Sequence, residues 1–379
     1  EKPPTRSQVR YWLRTRLDDD ASVDAFAEAV EEISIEIAHM IEIGKPSRDS
    51  ITHPGIEHGL IGDATYLRGM YDTSFDDAVD KETGEFRTLR FDPDARKVQQ
   101  DKGYPGYRVT HVSSHNGHPR EEVVYAIDVS PGQQGSDAAA FLDMALELFP
   151  KMPGMRTVVY DGAMYPVHID RALSAGLIPI NHVQLTAKGE VATFNIGEHT
   201  FTTRGGKKHT AVVTFIDGPP CVTIATVEGR HTIELVRGQN KPRHNADGTV
   251  THYAHWAYPD DPIVPVHLRG ATTLIRFSPT DEELATGRTR SRAARMIPRG
   301  DPDFPPTYGS RNNTENRHHQ LKLSLPNKRL NVSGINRVRR RMLAHYLTKN
   351  LEAAIAWHER TGGDISHLFT LPPPLADAA

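Results

Sequence analysis

Three acidic residues, Asp63, Asp161 and Glu315, stand where the local sequence gives a carboxylate a chemical reason to be there. Asp161 ends the run Thr157-Val-Val-Tyr-Asp161 and precedes Gly162. The carboxyl end of a strand in an α/β sheet is where ligands bind, although turns and helix N-caps also take Asp at such places. Asp63 lies inside Leu60-Ile61-Gly62-Asp63-Ala64, where acids are depleted and a buried one needs a partner or a cation. Glu315 belongs to Tyr308-Gly-Ser-Arg311-Asn-Asn-Thr-Glu315-Asn-Arg-His-His-Gln-Leu-Lys322, whose Tyr, Arg, Glu and Lys are spaced by three, four and seven. On an α-helix those intervals share one face. The stripe offers a carboxylate, a bidentate guanidinium, a point-charge ammonium and a phenol; the plainer alternative is a solvated face with one Arg–Glu pair. Three acids converging from separate elements suit phosphodiester chemistry on two Mg²⁺ ions about 3.5–4 Å apart, with Mn²⁺ expected to substitute.

The elements that must position them follow from periodicity. Residues 7–44 are predicted helical, with Val23, Phe26, Val30, Ile33, Ile37, Met40 and Ile41 at helical spacing and Gly44-Lys45-Pro46 as the stop. A strand is predicted at 59–66, a polar loop at 72–102, and two strands at 107–113 and 121–129 around the turn His115-Asn-Gly-His-Pro119. Ser136 and Asp137 cap a helix to Leu148; a strand at 157–161, a helix at 167–175 closed by Gly176, and a strand at 177–183 follow. The order β-β-β-α-β-α-β resembles an RNase H-like arrangement, an α/β fold with a mixed sheet flanked by helices. In it the first acid sits on the first strand with a hairpin downstream. That favours Asp63 over its rival Asp128, which ends the hairpin.

From Val191 to about Phe277 strand-like runs (211–216, 221–227, 231–236, 272–277) alternate with Gly, Pro, Asn and Asp turns. A capping box is read at Thr280 and Glu283, and helices at about 308–323 and 333–360. The expected organisation is therefore a helical segment 1–50, a first part of the core 51–190, a β-rich insertion 191–279, the C-terminal helices of the core 280–362, and a frayed tail 363–379.

Bulk composition is permissive. The chain has 379 residues, 37% hydrophobic and 25% charged, enough for a substantial core. No apolar run approaches the roughly 20 residues that span a bilayer. No signal-like start is read at Glu1-Lys2-Pro3-Pro4, and the lack of an initiator Met leaves room for a preceding recognition module. The single cysteine, Cys221, fits a reducing cytosol. Net charge is −3, but residues 286–341 hold fourteen Lys and Arg against three acids, a local +11 that leaves −14 elsewhere. Clustered cations of this kind suit a phosphate backbone, and Arg337, Arg339, Arg340 and Arg341 are expected to track phosphates without reading sequence.

The spacing Y-x2-R-x3-E-x6-K resembles the signature of DDE-type cut-and-paste transposases of prokaryotic insertion sequences. Asp92-Pro-Asp-Ala-Arg96 with Lys102-Gly-Tyr104 is similar to a segment between the first acid and the hairpin of related transposases. The resemblance implies that Asp63, Asp161 and Glu315 are the catalytic metal ligands. It also implies that Tyr308, Arg311 and Lys322 hold transposon-end phosphates, and that a β-rich insertion separates the second Asp from the Glu. The expected partner is double-stranded DNA, both transposon ends and target, bound by a homodimer or larger assembly. The expected place is the cytoplasm of a prokaryote, at the nucleoid. The chain departs from the family at Asp63-Ala-Thr and Asp161-Gly-Ala-Met-Tyr165, where Asp-Gly-Thr and Asp-Arg-Gly-Tyr are common.

Other features weigh less. His111, His115 and His118, or His252 and His255, lack the spacing and CxxC partner of a zinc site. His319 could touch DNA, but His318-His319 reads first as helix surface. Trp256 could stack on a flipped base, though a Trp in a β region is more often core. Two alternatives to a transposase are a domesticated or inactive DNA-binding derivative and an RNase H-like nuclease without strand transfer.

Overall fold

The computed structural model describes residues 19–369, apart from 89, 99–102, 119, 133, 227 and 228. The N-terminal helix expected at 7–44 is α1, Asp20–Met40, opened by Asp19 accepting from the Ser22 N–H; the rest of that expectation before residue 19, and the tail from 370, fall outside the described residues.

A mixed sheet forms the centre. Its strands are β1 (Gly59–Arg68), the two-residue β2 (Arg96–Lys97), β3 (Pro105–His115), β4 (Glu122–Pro131), β5 (Thr157–Val159) and β6 (Ile178–Ile180). The order across the sheet is β4–β3–β1–β5–β6, with β2 added to the start of β3. β3 runs antiparallel to β1 and β4, while β5 runs parallel to β1 and β6. All five strands predicted before residue 190 are present. The loop predicted at 72–102 contains a helical turn at Phe75–Ala78 and the short β2.

Period-two alternation gives the sheet two different faces. Helix α2 (Asp137–Leu148), capped by Ser136, lies on one face and packs Phe141 against Leu60, Val112 and Val158. Gly62 is there because α2 comes so close. A Cβ at that position would stand 2.1 Å from the Phe141 ring, which is itself stacked on Tyr160 at 4.9 Å. The opposite face carries Leu67, Tyr107, Val109, Ile127 and Val129, packed with residues of α1, of α6 (Arg311–Ser324) and of α7 (Ile335–Thr361). Asn350 of α7 pins three elements together: it accepts from the Val124 N–H at 2.9 Å and donates to the Val124 carbonyl and to Ser34 Oγ of α1.

Helix α3 (Pro166–Ala175) connects β5 to β6 and ends at Gly176 with φ 103°. The insertion is a second, seven-stranded antiparallel sheet of β7 (Thr193–Thr202), β8 (Lys208–Ile216), β9 (Pro220–Thr226), β10 (Gly229–Glu234), β11 (Val236–His244), β12 (Val250–Ala257) and β13 (Thr272–Arg276), ordered β10–β9–β8–β7–β13–β12–β11. Three of its strands, β7, β11 (Val236–His244) and β12 (Val250–Ala257), were not singled out by periodicity. β11 reads Val-Arg-Gly-Gln-Asn-Lys-Pro-Arg-His and is mostly exposed, which an edge strand tolerates and which erases the alternating signal. A buried ion cluster fastens the insertion to the core. Arg237 of β11 donates to Asp301 at 2.6 and 2.9 Å, to Asp303, and to the Thr52 carbonyl.

The predicted helix at 308–323 is divided. Short α4 (Asp281–Thr286) begins at the expected Thr280 cap. Then α5 (Phe304–Gly309) and α6 meet at Ser310, whose hydroxyl donates to the Thr307 carbonyl. Tyr308 therefore ends one helix and Arg311 begins the next.

The close approach at Gly62 gives a direct test. Gly62→Ala forces a methyl group into a buried ring on a rigid helix, an overpacking of about 1–3 kcal/mol. A urea titration should show the midpoint falling without a change in slope; an unchanged midpoint would contradict this packing.

Candidate active site

β1 and β5 place the first two acids by register alone. Gly59, Leu60 and Ile61 pair with Thr157, Val158 and Val159 in parallel. Two residues beyond the last pair stand Asp63, still within β1, and Asp161, in the loop just past β5, where it feels the Asp63 charge. Asp128 pairs with Thr110, whereas Asp63 is level with His111 and Ile127. The rival acid thus points to the other face, where Ser130 donates to it at 2.5 Å.

Helix α6 lies over this end of β1 and presents Arg311, Thr314, Glu315 and His318. Arg311 bridges two carboxylates: it is 3.5 Å from Asp63 Oδ1 and donates to Glu315 Oε1 at 2.8 Å. Thr314 Oγ1 and His318 Nδ1 both stand 3.5 Å from Asp63 Oδ2. His318 Nε2 in turn meets His111 Nδ1 at 3.0 Å, in a buried pair whose rings cross at 86°. The other ring nitrogen of His111 has no partner among the described residues.

These contacts divide the electrostatics unequally. Burial pushes the Asp63 carboxyl up, but the His318 hydrogen bond and the charges of His318 and Arg311 outweigh it, leaving Asp63 below the usual carboxylate range. Burial pushes Asp161 up; the Ala163 N–H and Arg311 oppose this, while the charges of Asp63 and Asp137 add to it, and Asp161 ends above its ordinary value. Two neighbouring acids at one sheet end are held in different protonation tendencies, as functional carboxylates often are.

Glu315 is at the same end but not gathered with the other two. Its side chain is 56% exposed and turned to Arg311. Among the described residues no three His, Cys, Asp or Glu side chains close on one point fit to hold an ion. The donor chemistry nevertheless suits a hard divalent cation, since the acids are oxygen donors; Arg311 holds the place between Asp63 and Glu315 that positive charge would otherwise fill.

Other expected site residues fall differently. Tyr308 stacks on Phe304 at 5.0 Å and meets His182 edge to face at 4.6 Å. Lys322 is half-buried in the last turn of α6, and His319 is exposed. His318 is the correction: it is buried against Asp63 rather than on the helix surface. Its signal was available, since it lies four residues after Thr314 and seven after Arg311, on the stripe that faces the sheet. Trp256 is 1% exposed and stacked on Phe277; it is core, and as it sits it offers no surface to a base. The basic run is also not a uniform surface. Arg339 pairs with Asp24 of α1, Arg340 is buried, Arg341 is half-buried, and Arg337 is exposed.

The Asp92-Pro-Asp segment has a structural role. Asp92, 1% exposed, accepts from the Tyr107 hydroxyl at 2.8 Å and from the Gly334 N–H, and Asp94 accepts from the Ile335 N–H at 2.8 Å. Together they satisfy the open N-terminus of α7. No zinc-type histidine cluster occurs among the described residues. Compared with known proteins, the chain matches no protein-family model and no curated protein.

The two aspartates should respond oppositely to neutralisation. A carboxyl raised in the fold contributes stability below its unfolded pKa that is lost as pH rises through the folded one; a lowered carboxyl contributes stability above its unfolded pKa that is lost as pH falls through the folded one. Without divalent metal at neutral pH, Asp161→Asn should therefore raise the melting temperature and Asp63→Asn should lower it. Both differences should shrink in acid. Two shifts of the same sign in scanning calorimetry would refute this asymmetry.

Proposed function

We propose that this protein is a DDE-type DNA transposase with an RNase H-like core, using Asp63, Asp161 and Glu315 on Mg²⁺ to cut transposon ends and join the freed 3′-OH to target DNA. The observation that carries the proposal is that Asp161 follows the end of β5, the parallel neighbour of the strand that bears Asp63, while α6 brings Arg311 and His318 to Asp63 and pairs Glu315 with Arg311. Three further facts support it. The strand order has three antiparallel strands followed by two parallel ones. The second sheet is inserted between Asp161 and Glu315. No helix among the described residues is long and apolar enough to cross a membrane.

In the working state Asp63, Asp161 and Glu315 would hold two Mg²⁺ ions, with Mn²⁺ able to replace them. The ions supply activation of the attacking oxygen and stabilisation of charge at the phosphate. The protein's own residues do the rest. His318 and Thr314 approach one oxygen of the Asp63 carboxylate, and the Ala64 N–H and Arg311 the other, which orients the group. Arg311 is placed to exchange Glu315 for a phosphate oxygen, since guanidinium binds either anion bidentately. Tyr308, held by Phe304 and His182, and Lys322 extend the anion-binding stripe along α5 and α6. Glu315, exposed and paired with Arg311, would have to turn its side chain toward the other acids. Duplex DNA is the partner, and holding two ends together calls for a dimer or larger assembly. A prokaryotic cytoplasm, at the nucleoid, is the matching location.

One observation favours a second reading. With Glu315 engaged by Arg311, the chain as it stands is also compatible with a derived protein that binds DNA without cutting it. A plasmid nicking and strand-transfer assay separates the two. Wild type with Mg²⁺ or Mn²⁺ should nick and join a 3′-OH oligonucleotide to plasmid, and EDTA should abolish both. Glu315→Gln should lose at least about 10²-fold of the rate while retaining duplex binding. Nicking without joining would leave a nuclease; no activity in either metal would leave the binding protein.

A further inference from the structure

Beside the carboxylates lies a groove of about 400 Å³, within the size class of small-ligand sites, formed by the loop after β5, the segment leading from β6 into β7, and the segment after α4. Three of its apolar side chains are bare: Tyr165 is 56% exposed, Val167 60% and Leu185 63%. Its charged residues are three arginines, Arg288, Arg292 and Arg295, and no carboxylate lines it. Arg288 and Arg292 are exposed and form no ion pair among the described residues. Arg295, 4% exposed, spends its guanidinium on carbonyl oxygens of Asn181, His182, Ser291 and Ala294, so its charge is not neutralised by a hydrogen-bonded acid.

This composition contrasts with much of the basic segment. Arg290 is paired with Glu283, Arg317 with Glu122, Arg329 with Asp72 and Arg339 with Asp24. Positive charge left available for a ligand is therefore concentrated at fewer places, and this groove joins it to an aromatic face.

We propose that the groove is a binding site for single-stranded DNA continuing from the scissile phosphate, with an unpaired base laid on Tyr165 and Leu185 and its phosphates met by Arg288 and Arg292. The inference rests on the nuclease reading of the adjacent carboxylates for its direction along the strand. Position supports it. Tyr165 follows Asp161 by four residues, so their Cα atoms are at most about 14 Å apart, roughly four nucleotides at the about 3.4 Å spacing of a stacked strand. Chemistry selects the single strand over the duplex. In a duplex the base faces are covered by their neighbours and only phosphates would reach the rim, leaving Tyr165, Val167 and Leu185 in water. An unpaired base offers a π-face to the phenol ring, and its phosphates offer charge to the arginines.

The test is fluorescence anisotropy in EDTA with labelled duplexes that are blunt or carry a short 3′ or 5′ single-stranded tail. Stacking of one base corresponds to about a tenfold gain in affinity, so wild type should bind one tailed duplex about tenfold tighter than the blunt one. Tyr165→Ala should remove most of that gain, Tyr165→Phe should retain it, and Arg288→Ala with Arg292→Ala should reduce it and flatten its salt dependence. The substituted residues are exposed, so circular dichroism and melting temperature should match wild type. Equal binding of blunt and tailed duplexes by wild type overturns the proposal, as does a tail preference that survives both sets of substitutions. The nicking assay reads the parent hypothesis separately: a tail preference without cutting leaves the groove and removes the nuclease, whereas cutting without a tail preference does the reverse.

Discussion

Asp63 on β1 and Asp161 just past its parallel neighbour β5 repel each other, and the fold has to bring positive charge to them. Arg311 does this from α6, reaching Asp63 and Glu315 together, while His318 approaches the second oxygen of Asp63. Asp161 receives less help and stays harder to ionise. Coulombic pairing at partly buried sites is strong enough to decide side-chain positions, so the placement of α6 is the condition on which the site depends. A helix displaced by one turn would leave Asp63 half-buried without its partners.

Much of the remaining architecture can be understood as fixing that helix. The link from α6 to α7 is tied to the end of β1, where the Leu330 N–H donates to the Arg68 carbonyl at 2.9 Å and Arg329 reaches Asp72. Asp92 and Asp94 close the N-terminus of α7, and Asn350 locks α7 to β4 and α1. On the other side, Arg237 of the inserted sheet holds Asp301 and Asp303 just ahead of α5. The insertion thus does more than enlarge the molecule: it anchors the approach to α5 and α6 through a buried ion cluster whose disruption would leave unpaired charge.

The arginine-rich region shows why a charge count is an incomplete guide. Its excess of cations is large, yet several of them serve packing between elements distant in sequence, and Arg295 and Arg340 are buried. Cations placed for an anionic ligand include those of the Tyr308–Lys322 stripe and of the groove beside Asp161. A polymer entering the site would therefore be guided by a few placed cations rather than by a uniformly positive face.

Five of the six strands of the central sheet, the caps at Ser136 and Thr280 and the stop at Gly176 were legible in the sequence by itself. Each of these follows from short-range periodicity, turn chemistry or side-chain preference within a dozen residues. It also marked Arg311 and Glu315, because helical spacing alone puts them on one face. Tertiary structure decided what those residues touch. That His318 is buried against Asp63, that Trp256 is core, that Arg339 answers Asp24 and that Asp92 caps α7 all depend on contacts between segments far apart along the chain. A single sequence carries no local signal for such contacts: they exist only after burial has removed the solvent that would otherwise satisfy each polar group.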